Sequence, residues 1–425
     1  MQDCPFVDFS EKNRHTDDIL LATSLFAEAS DREAPSGFPL MLFLKKILLR
    51  LLRILAGVPI ISMLAGGLLF FVLSATLKGR CVGLSAIILG GILYVSVGYW
   101  NRPWFRKHRK LFFGISIPVG LLLYFVPMVL APSGGTPQAS VRNCFLNGQG
   151  HFHSYSPWNV IPEVDQLKVG MHLVPLGDPY VDFARAARMR KLKRAIYADL
   201  DKDAEFRDVG SAMGLAYREL FRLPFHNGHY FLFLPEVAEG EQIPCLIFLH
   251  GMGGNTKSCL WILSKLSNRM KCGVIAPTFG IGNWNKPESA EFVVSVAKEA
   301  IATLPVDPER VFLMGYSNGA MGVTRAALEA PQLFQGLIYL SPITEDELFT
   351  TDAFLSHAGK RKMLFLHGGE DERIPLNLVA GTVDCLKRFH CDVRFKVFDG
   401  EDHFLLFSQP EAVLDEIEKC MTAEP

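Results

Sequence analysis

Three long stretches without a charged residue constrain this chain more than any other feature. They are residues 54–77, 82–100 and 111–131. Each exceeds the roughly 18 residues that mark a candidate membrane-spanning helix. A buried helix of a soluble protein is the alternative, but soluble cores do not confine their charges to short connectors over such a distance. We therefore expect a membrane region over residues 38–131 with about three helical spans, which makes the lipid bilayer a predicted partner.

A basic stripe precedes the first span. Leu40–Arg53 reads LMLFLKKILLRLLR, and Lys46, Arg50 and Arg53 fall on one helical face. Two readings stay open for this stretch. It forms an amphipathic helix in the headgroup layer, or it simply extends the first span.

Basic residues are distributed unevenly between the two sides of the predicted spans. The N-terminal flank and the second connector carry nine, whereas the first connector and the residues after the third span carry three. Because cytoplasmic segments are enriched in Lys and Arg, we expect a cytoplasmic N-terminus and a C-terminal domain on the extracytoplasmic side. That domain has no N-x-S/T site, which favours a bacterial inner membrane facing the periplasm.

The remaining composition excludes several classes of protein. Lys+Arg 43 against Asp+Glu 44 leaves a net charge of -1, so no basic field exists to attract nucleic acid. The nine cysteines form no C-x-x-C pair, which argues against a zinc module and against a disulfide scaffold. The histidine pairs His151/His153 and His226/His229 lack the H-E-x-x-H spacing. No metal and no cofactor are therefore expected, and the oligomeric state is not indicated.

Composition also predicts the domain organisation. Residues 1–37 form a polar tail, and residues 132–140 contain the turn-rich sequence PSGGTP of a linker. Residues 141–225 form a mixed segment to which we assign no fold. Within it, Asp182–Lys202 has helical character and a basic cluster, which we interpret as a solvated helix face rather than a lipid contact. Residues 226–425 form the candidate catalytic domain.

Short apolar strands alternate with helical stretches in this last domain. The predicted strands are Tyr230–Leu234, Cys245–Leu249, Gly273–Ala276, Val311–Met314, Gly336–Leu340, Met363–Leu366 and Arg394–Phe398. Apolar strands separated by helices indicate an α/β fold with a mostly parallel sheet covered on both faces. In such sheets the functional residues gather at the carboxyl ends of the strands.

A G-x-S-x-G motif follows one of these strands directly. Val311–Met314 continues into Gly315-Tyr316-Ser317-Asn318-Gly319, and a helical stretch comes next. A serine on so sharp a turn needs glycines on both sides, because larger side chains would crowd the backbone. The helix that follows also favours negative charge near its N-terminus. Ser317 is therefore a candidate nucleophile.

Three further strand ends carry matching chemistry. His250-Gly251-Met252-Gly253-Gly254 follows the second predicted strand, and the amides of Met252 and Asn318 are candidates for an oxyanion hole. Asp371 follows the sixth strand, and His403 follows the seventh. The chain order Ser, Asp, His is the order expected after such a serine turn.

These motifs resemble those of the α/β-hydrolase family over roughly residues 227–420. The resemblance rests on H-G-M-G-G, G-Y-S-N-G, H-G-x-x-D-x-x-I-P and G-x-x-H at the expected strand ends. It is strongest to the esterase, carboxylesterase and phospholipase branches and implies Ser317 as nucleophile, Asp371 as acid and His403 as base. Solvated loop positions are the plain interpretation of the neighbouring acids Glu370, Asp399 and Asp402.

Substrate specificity is predicted from the loops around the site. Only 22 residues, Ser341–Lys362, separate the fifth and sixth predicted strands, which leaves no room for a large cap. Trp284 in the loop Thr278–Pro287 is a candidate pocket residue, with plain packing as the open alternative. Residues 141–225 are the other candidate cover of the site.

The sequence therefore predicts a membrane-anchored serine hydrolase that cleaves a carboxylic ester. A lipid or another acylated small molecule is the expected substrate, because the predicted anchor places the enzyme at a bilayer. A serine peptidase would carry the same motifs and is one alternative. A catalytically silent scaffold is the other, although it would not need a complete triad.

Overall fold

The computed structural model describes residues 38–224 and 228–422. The predicted tail, residues 1–37, and His226 lie outside the described residues. Contacts divide the chain into two units, Met1–Ile61 and Ser62–Pro425.

Three helices form the predicted membrane region, with boundaries that differ from the expected spans. They are α1 Phe38–Leu73, α2 Leu77–Tyr99 and α3 Pro103–Val129. The basic stripe Leu40–Arg53 lies within α1. Its backbone is therefore continuous with the first predicted span, which was one of the two alternatives. The predicted first span is wrong at its end, because α1 stops at Leu73 and the Thr76 side chain caps α2 by accepting from the Gly79 amide. α2 and α3 are long and apolar enough to cross a membrane, and Gly57–Leu73 is a shorter apolar helix.

The apolar helices α1, α2 and α3 contact one another through small residues. A Cβ on Gly83 of α2 would lie 2.4 Å from the Phe71 amide nitrogen, so the two backbones cross closely there. The Ser85 hydroxyl donates to the Gly120 carbonyl of α3 at 2.7 Å. Small residues at crossings and hydroxyl hydrogen bonds between helices are typical of membrane helix packing.

Residues 132–224 contain one strand and a set of short helices. These are β1 Val141–Phe145, α4 Pro157–Val160, α5 Glu163–Leu173, α6 Phe183–Leu200, α7 Ala204–Asp208 and α8 Met213–Leu220. The predicted linker packs on this layer, because the Ser133 amide donates to the Asp208 carboxylate at 2.8 Å. The predicted helix Asp182–Lys202 corresponds to α6, with Asp182 as its N-cap.

The remaining chain alternates strands and helices as predicted. In chain order these are β2 His229–Phe233, β3 Ile243–Leu249, α9 Lys257–Met270, β4 Gly273–Pro277, α10 Pro287–Thr303, β5 Val306–Tyr316, α11 Gly319–Glu329, β6 Gly336–Leu340, α12 Asp346–Phe349, α13 Asp352–Ser356, β7 Lys362–Gly368, α14 Leu376–Arg388, β8 Val393–Phe398, α15 Leu405–Ser408 and α16 Pro410–Thr422. Each of the seven expected strands is present within a few residues of its predicted position.

All eight strands form one sheet in the order β1-β2-β4-β3-β5-β6-β7-β8. β1 and β2 are antiparallel additions at one edge, and β3 to β8 are mutually parallel. Because β1 lies in the segment left without a fold, the sheet begins upstream of the predicted domain start at residue 226. Apolar side chains are buried on both faces of the sheet, which is why strands such as β3 are continuously hydrophobic.

This topology brings the motif loops together. β3, β5, β7 and β8 are parallel, so their carboxyl ends lie at one edge of the sheet. The four predicted motif loops follow these four strands and therefore meet there.

Candidate active site

Ser317 occupies a strained turn between β5 and α11. Its φ is +54°, a left-handed conformation that residues other than glycine rarely adopt. Its amide donates to the Leu340 carbonyl at 2.9 Å, which holds the turn against β6. The side chain is 4% exposed. The turn thus presents the hydroxyl in a nearly closed site at the start of a helix.

The two flanking glycines are required by close backbone approach. A Cβ on Gly315 would lie 2.4 Å from the Gly319 carbonyl carbon, and one on Gly319 would lie 2.1 Å from the Leu249 carbonyl oxygen. Side-chain atoms at such distances from backbone cannot be accommodated without displacing the turn. The G-x-S-x-G spacing therefore has a steric cause in this fold.

His403 bridges the serine and one carboxylate. Its Nε2 lies 3.0 Å from Ser317 Oγ, and its Nδ1 lies 2.8 Å from Asp371 Oδ2. Asp402, one of the neighbouring acids, instead accepts from the Phe404 amide and from Arg188. The structure thus brings Ser317, His403 and Asp371 into one hydrogen-bonded chain.

Hydrogen bonds hold the Asp371 carboxylate in its ionised form. Burial raises its pKa, but the hydrogen bond with His403 and that from the Ile374 amide lower it. The pKa of Asp371 therefore lies below the ordinary 3.8. Its Oδ1 also accepts from the Arg373 amide at 3.0 Å. A carboxylate anchored on both oxygens can orient an imidazole and stabilise its protonated form.

Tyr316 supports His403 from below, a role that sequence reasoning missed. Its hydroxyl donates to the His403 carbonyl at 2.9 Å, and its ring stacks on the imidazole with the centroids 5.5 Å apart. The sequence does show Tyr316, as the variable residue just before the serine in the G-x-S-x-G motif. Nothing in the motif itself indicates which strand-end loop that tyrosine touches.

The loop after β3 approaches the serine closely. A Cβ on Gly251 would lie 3.3 Å from Ser317 Cβ. Within residues 38–224 and 228–422, no backbone carbonyl accepts a hydrogen bond from the Met252 or Asn318 amide. Unpaired amides beside a candidate nucleophile are what an oxyanion hole requires. Met252 itself is 63% exposed.

Two histidines at strand ends fix the loops after β3 and β7. His250 Nδ1 donates to the Gly251 carbonyl, while its Nε2 accepts from the Phe279 amide at 3.1 Å. Burial lowers the pKa of His250 to about 4, so the ring stays neutral and can both donate and accept. His367 Nε2 lies 2.9 Å from the Ile374 carbonyl, which anchors the loop of the acid.

Trp284 does not line a substrate pocket, and that prediction is corrected. The side chain is fully buried, and its ring stacks on Phe279 in the core. Its Nε1 donates to the His250 carbonyl at 2.7 Å. The indole therefore packs beneath the loop after β3. Plain packing was the alternative interpretation of this residue. The aromatic ring and its polar nitrogen are both satisfied inside the fold.

Residues 141–224 cover the site from the other side. Arg185 of α6 forms a bidentate ion pair with Glu372, and Arg188 pairs with Glu401 at 3.0 Å. These two acids lie in the loops that carry Asp371 and His403. Arg185 and Arg188, which are part of the basic cluster on α6, therefore bind residues 141–224 to the loops that carry Asp371 and His403. The sequence had predicted a solvated face for this cluster.

The cover leaves little space at the imidazole. A cavity of about 10 Å³ reaches His403, and Tyr180 and Val181 from the cover contribute to its walls. Arg373 also lines this cavity and forms an ion pair with Asp178 of the cover.

Of the histidines considered for metal binding, the structure describes His151, His153 and His229. The rings of His151 and His153 meet edge to face with their centroids 5.4 Å apart, while the His229 ring nitrogens are hydrogen-bonded to Asn143 and Thr278. No group of three or more potential ligands that could hold a metal ion is found in the described part of the chain.

Comparisons with known proteins agree with this architecture. The family model described as Phospholipase/Carboxylesterase matches residues 286–421. No curated protein sequence matches the chain.

Solved structures of similar fold include several esterases and serine hydrolases. A thermostable esterase is 20% identical with a TM-score of 0.37; the match covers 45% of this chain and 58% of the esterase, so the chain spans less than two thirds of it. Est1E from Butyrivibrio proteoclasticus is 16% identical over 45% of this chain and 92% of its own, with a TM-score of 0.38. The fluorophosphonate-binding serine hydrolase FphF of Staphylococcus aureus is 17% identical over 47% of this chain and 94% of its own, with a TM-score of 0.40. The strand order and the strand-end motifs of the C-terminal part of this chain are those of an α/β-hydrolase fold, and residues 286–421 match the phospholipase/carboxylesterase family model.

Proposed function

We propose that this chain is a membrane-anchored serine hydrolase that cleaves carboxylic esters through an acyl-enzyme. The observation that carries the proposal is the hydrogen-bonded chain Ser317–His403–Asp371 on a strained, glycine-flanked turn. The match to the phospholipase/carboxylesterase family supports ester hydrolysis.

The reaction follows from the roles of these groups. His403 Nε2 takes the Ser317 proton as Oγ attacks the ester carbonyl, and Asp371 stabilises the imidazolium that forms. The Met252 and Asn318 amides donate to the oxyanion. The imidazolium then gives its proton to the departing alkoxide. Water, activated by the same imidazole, releases the carboxylic acid and restores Ser317.

The proposed substrate is a lipid or another acylated, partly apolar ester. Its support is the pair of helices α2 and α3, which are long and apolar enough to hold the hydrolase domain at a bilayer. An ester dissolved in that bilayer would be at high local concentration near the site. Because the cover leaves so little space at His403, the substrate must enter with movement of the segment that carries Tyr180.

Covalent labelling tests the nucleophile. The full chain in detergent is treated with a fluorophosphonate probe, and we expect labelling that Ser317→Ala abolishes. Ser341→Ala is the matched control, because Ser341 is also a buried strand-end serine with positive φ, at 41°. Labelling lost in the control but kept in Ser317→Ala would contradict the assignment.

Substrate class is tested with the same preparation. Esters of p-nitrophenol with graded acyl chains should be hydrolysed, with longer chains preferred. Well-folded protein that takes no label would support the silent scaffold. Cleavage of peptides without cleavage of esters would support the peptidase.

The proposed topology places the N-terminus in the cytoplasm and the hydrolase domain on the opposite side. The uneven distribution of basic flanks supports it. Eight free cysteines among the described residues are, however, the usual pattern of a reducing compartment. Protease protection in sealed vesicles decides the matter: extracytoplasmic exposure of the hydrolase domain supports the proposal, and cytoplasmic exposure contradicts it.

A further inference from the structure

A cavity beside the membrane helices has no role in the reaction proposed above. It has a volume of about 190 Å³ and lies between α5 and α6, with Ala75 of the α1–α2 connector in its wall. Val164, Leu167 and Met171 give it an apolar surface. None of these residues contacts Ser317, His403 or Asp371 in the described structure.

The other walls of this cavity are basic. One wall residue is Lys193, whose Nζ donates to the Ser258 hydroxyl at 2.8 Å. Four further cations line the cavity: Lys168 of α5 and Arg190, Lys191 and Arg194 of α6. In the described residues none of these four side chains forms an ion pair with a carboxylate. Arg190 donates only to the Met171 carbonyl, at 2.9 Å.

The same helix shows that this lack of partners is local. Within the preceding turn and a half, Arg185 and Arg188 of α6 both pair with acids of the loops that carry Asp371 and His403. Clustered cations without counter-ions repel one another, so a fold retains them most readily where an anion joins them. The cations at positions 190, 191 and 194, in the middle of α6, are therefore a candidate anion site.

Lys168 experiences this repulsion directly. Burial lowers its pKa, and the guanidinium groups of Arg194, Arg80 and Arg190 lower it further. Asp165 opposes the shift, but its carboxylate is already occupied by the amides of Ala75 and Thr76 and by the Thr76 hydroxyl. An anion in the cavity would relieve a repulsion that no described carboxylate compensates fully.

The cavity lies at the end of the membrane helices. The Asp165 contacts join α5 to the connector just before α2 begins at Leu77. Lys78 Nζ donates to the Leu130 carbonyl at the end of α3, at 2.8 Å. The ends of two apolar helices and the basic cavity therefore share one level, which in a bilayer is the headgroup layer.

We propose that this cavity binds the phosphate of an anionic phospholipid headgroup. Lys168, Arg190, Lys191 and Arg194 contact the phosphate and its negative charge, while the apolar wall accepts the adjoining glycerol and first methylene groups. The lipid thereby fixes the orientation of the hydrolase domain at the membrane. The inference rests on the proposed membrane anchoring and not on the proposed ester hydrolysis.

Native mass spectrometry of the full chain tests the site. Delipidated protein in detergent is titrated with phosphatidylglycerol and, separately, with phosphatidylcholine. The test variant is Lys168→Gln/Arg194→Gln. The control is Lys298→Gln/Lys396→Gln, which removes the same charge from exposed positions outside the cavity. We expect the test variant to bind phosphatidylglycerol roughly tenfold more weakly or worse, and the control to match the native chain.

Other outcomes overturn the proposal. Equal phosphatidylglycerol binding by the two variants would show that the lipid does not bind in this cavity. Equal affinity of the native chain for both lipids would show that the site does not recognise the net charge of the lipid. Displacement of the lipid by low concentrations of inorganic phosphate would indicate a soluble phosphate ligand instead.

Two further measurements distinguish failure of the lipid site from failure of the proposed membrane anchoring or the proposed ester hydrolysis. Resistance of both variants to carbonate extraction tests membrane anchoring, and fluorophosphonate labelling tests the serine site and reports folding. If the double variant does not fold, Arg194→Gln alone, at an exposed position, replaces it in the same titration. A labelling failure with lipid binding intact would contradict the hydrolase function alone.

Discussion

The strands of the hydrolase sheet and the membrane helices are both strongly apolar, yet their side chains have opposite surroundings. Every residue of β3, Ile243–Leu249, is buried by protein. In α3, by contrast, Leu111 is 65% exposed and Val129 is 76% exposed. The proposed bilayer would cover apolar surface of that extent.

This difference in surroundings determines how many kinds of side chain each position tolerates. Lipid is a fluid cover and accepts almost any apolar side chain, whereas a close-packed protein interior responds to single methyl groups. We therefore expect single substitutions at the sheet edge to have large effects. In the membrane helices large effects should be confined to the few positions where backbones touch.

The largest expected effect is at the carboxylate beside His403. Asp371→Asn keeps the size of the side chain but removes the charge that stabilises the imidazolium and fixes its tautomer. We expect turnover of a p-nitrophenyl ester to fall on the order of 10⁴-fold, with little change in KM. Steady-state kinetics of the purified chain measure both quantities.

Asp399→Asn is the matched control for this prediction. Asp399 is an exposed acid in the loop that leads to His403, and it was one of the rival carboxylates. A loss in the control as large as that in Asp371→Asn would contradict the assignment of the acid.

The hydrolase domain also buries a titratable group whose protonation opposes folding. Burial holds the pKa of His250 at about 4 in the folded chain, against 6.5 for an ordinary histidine. As the pH falls between these values, the unfolded chain binds the proton first, so the free energy of unfolding decreases. The full loss is about 3 kcal/mol, and it levels off below about pH 4.

Thermal unfolding in detergent between pH 7.5 and 5 measures this decrease. His250→Gln should show a smaller decrease than the native chain, and His357→Gln, at an exposed position, should not differ from it. A residual slope is expected in His250→Gln, because burial also lowers the pKa of His229, to about 3. Identical slopes in all three chains would refute the prediction.

Most of the sheet and the site could be predicted from local sequence. The strands were predictable because a parallel sheet needs continuous apolar runs such as Gly336–Leu340. Ser317 was recognisable because a strained turn needs glycines at fixed positions around it. The proximity of Ser317, Asp371 and His403 follows from the parallel order of β5, β7 and β8, which the alternation of strands and helices implies.

Features that depend on distant pairing could not be predicted. β1 is a short strand in a polar context, and its place beside β2 depends on contacts far along the chain. The pairing of Arg185 with Glu372 joins residues 187 positions apart. A cluster of arginines has the same pattern in sequence whether it faces water, lipid or a second loop. The burial of Trp284 was likewise undecided, because an indole suits a pocket and a core equally well.

Two glycines of α2 give the smallest expected effect and a direct test of the contrast between lipid and protein cover. Glycine to alanine ordinarily stabilises a helix by up to about 1 kcal/mol. Gly91→Ala should show this gain in thermal unfolding of the detergent-solubilised chain, since no atom lies within 4 Å of its added Cβ. Gly83→Ala should instead destabilise the chain by about 1–3 kcal/mol, because its Cβ would lie 2.4 Å from the Phe71 amide nitrogen. Changes of the same sign in both variants would show that α1 and α2 do not cross as closely as this packing requires. Opposite signs would show that protein contacts, and not lipid alone, determine the residue at Gly83.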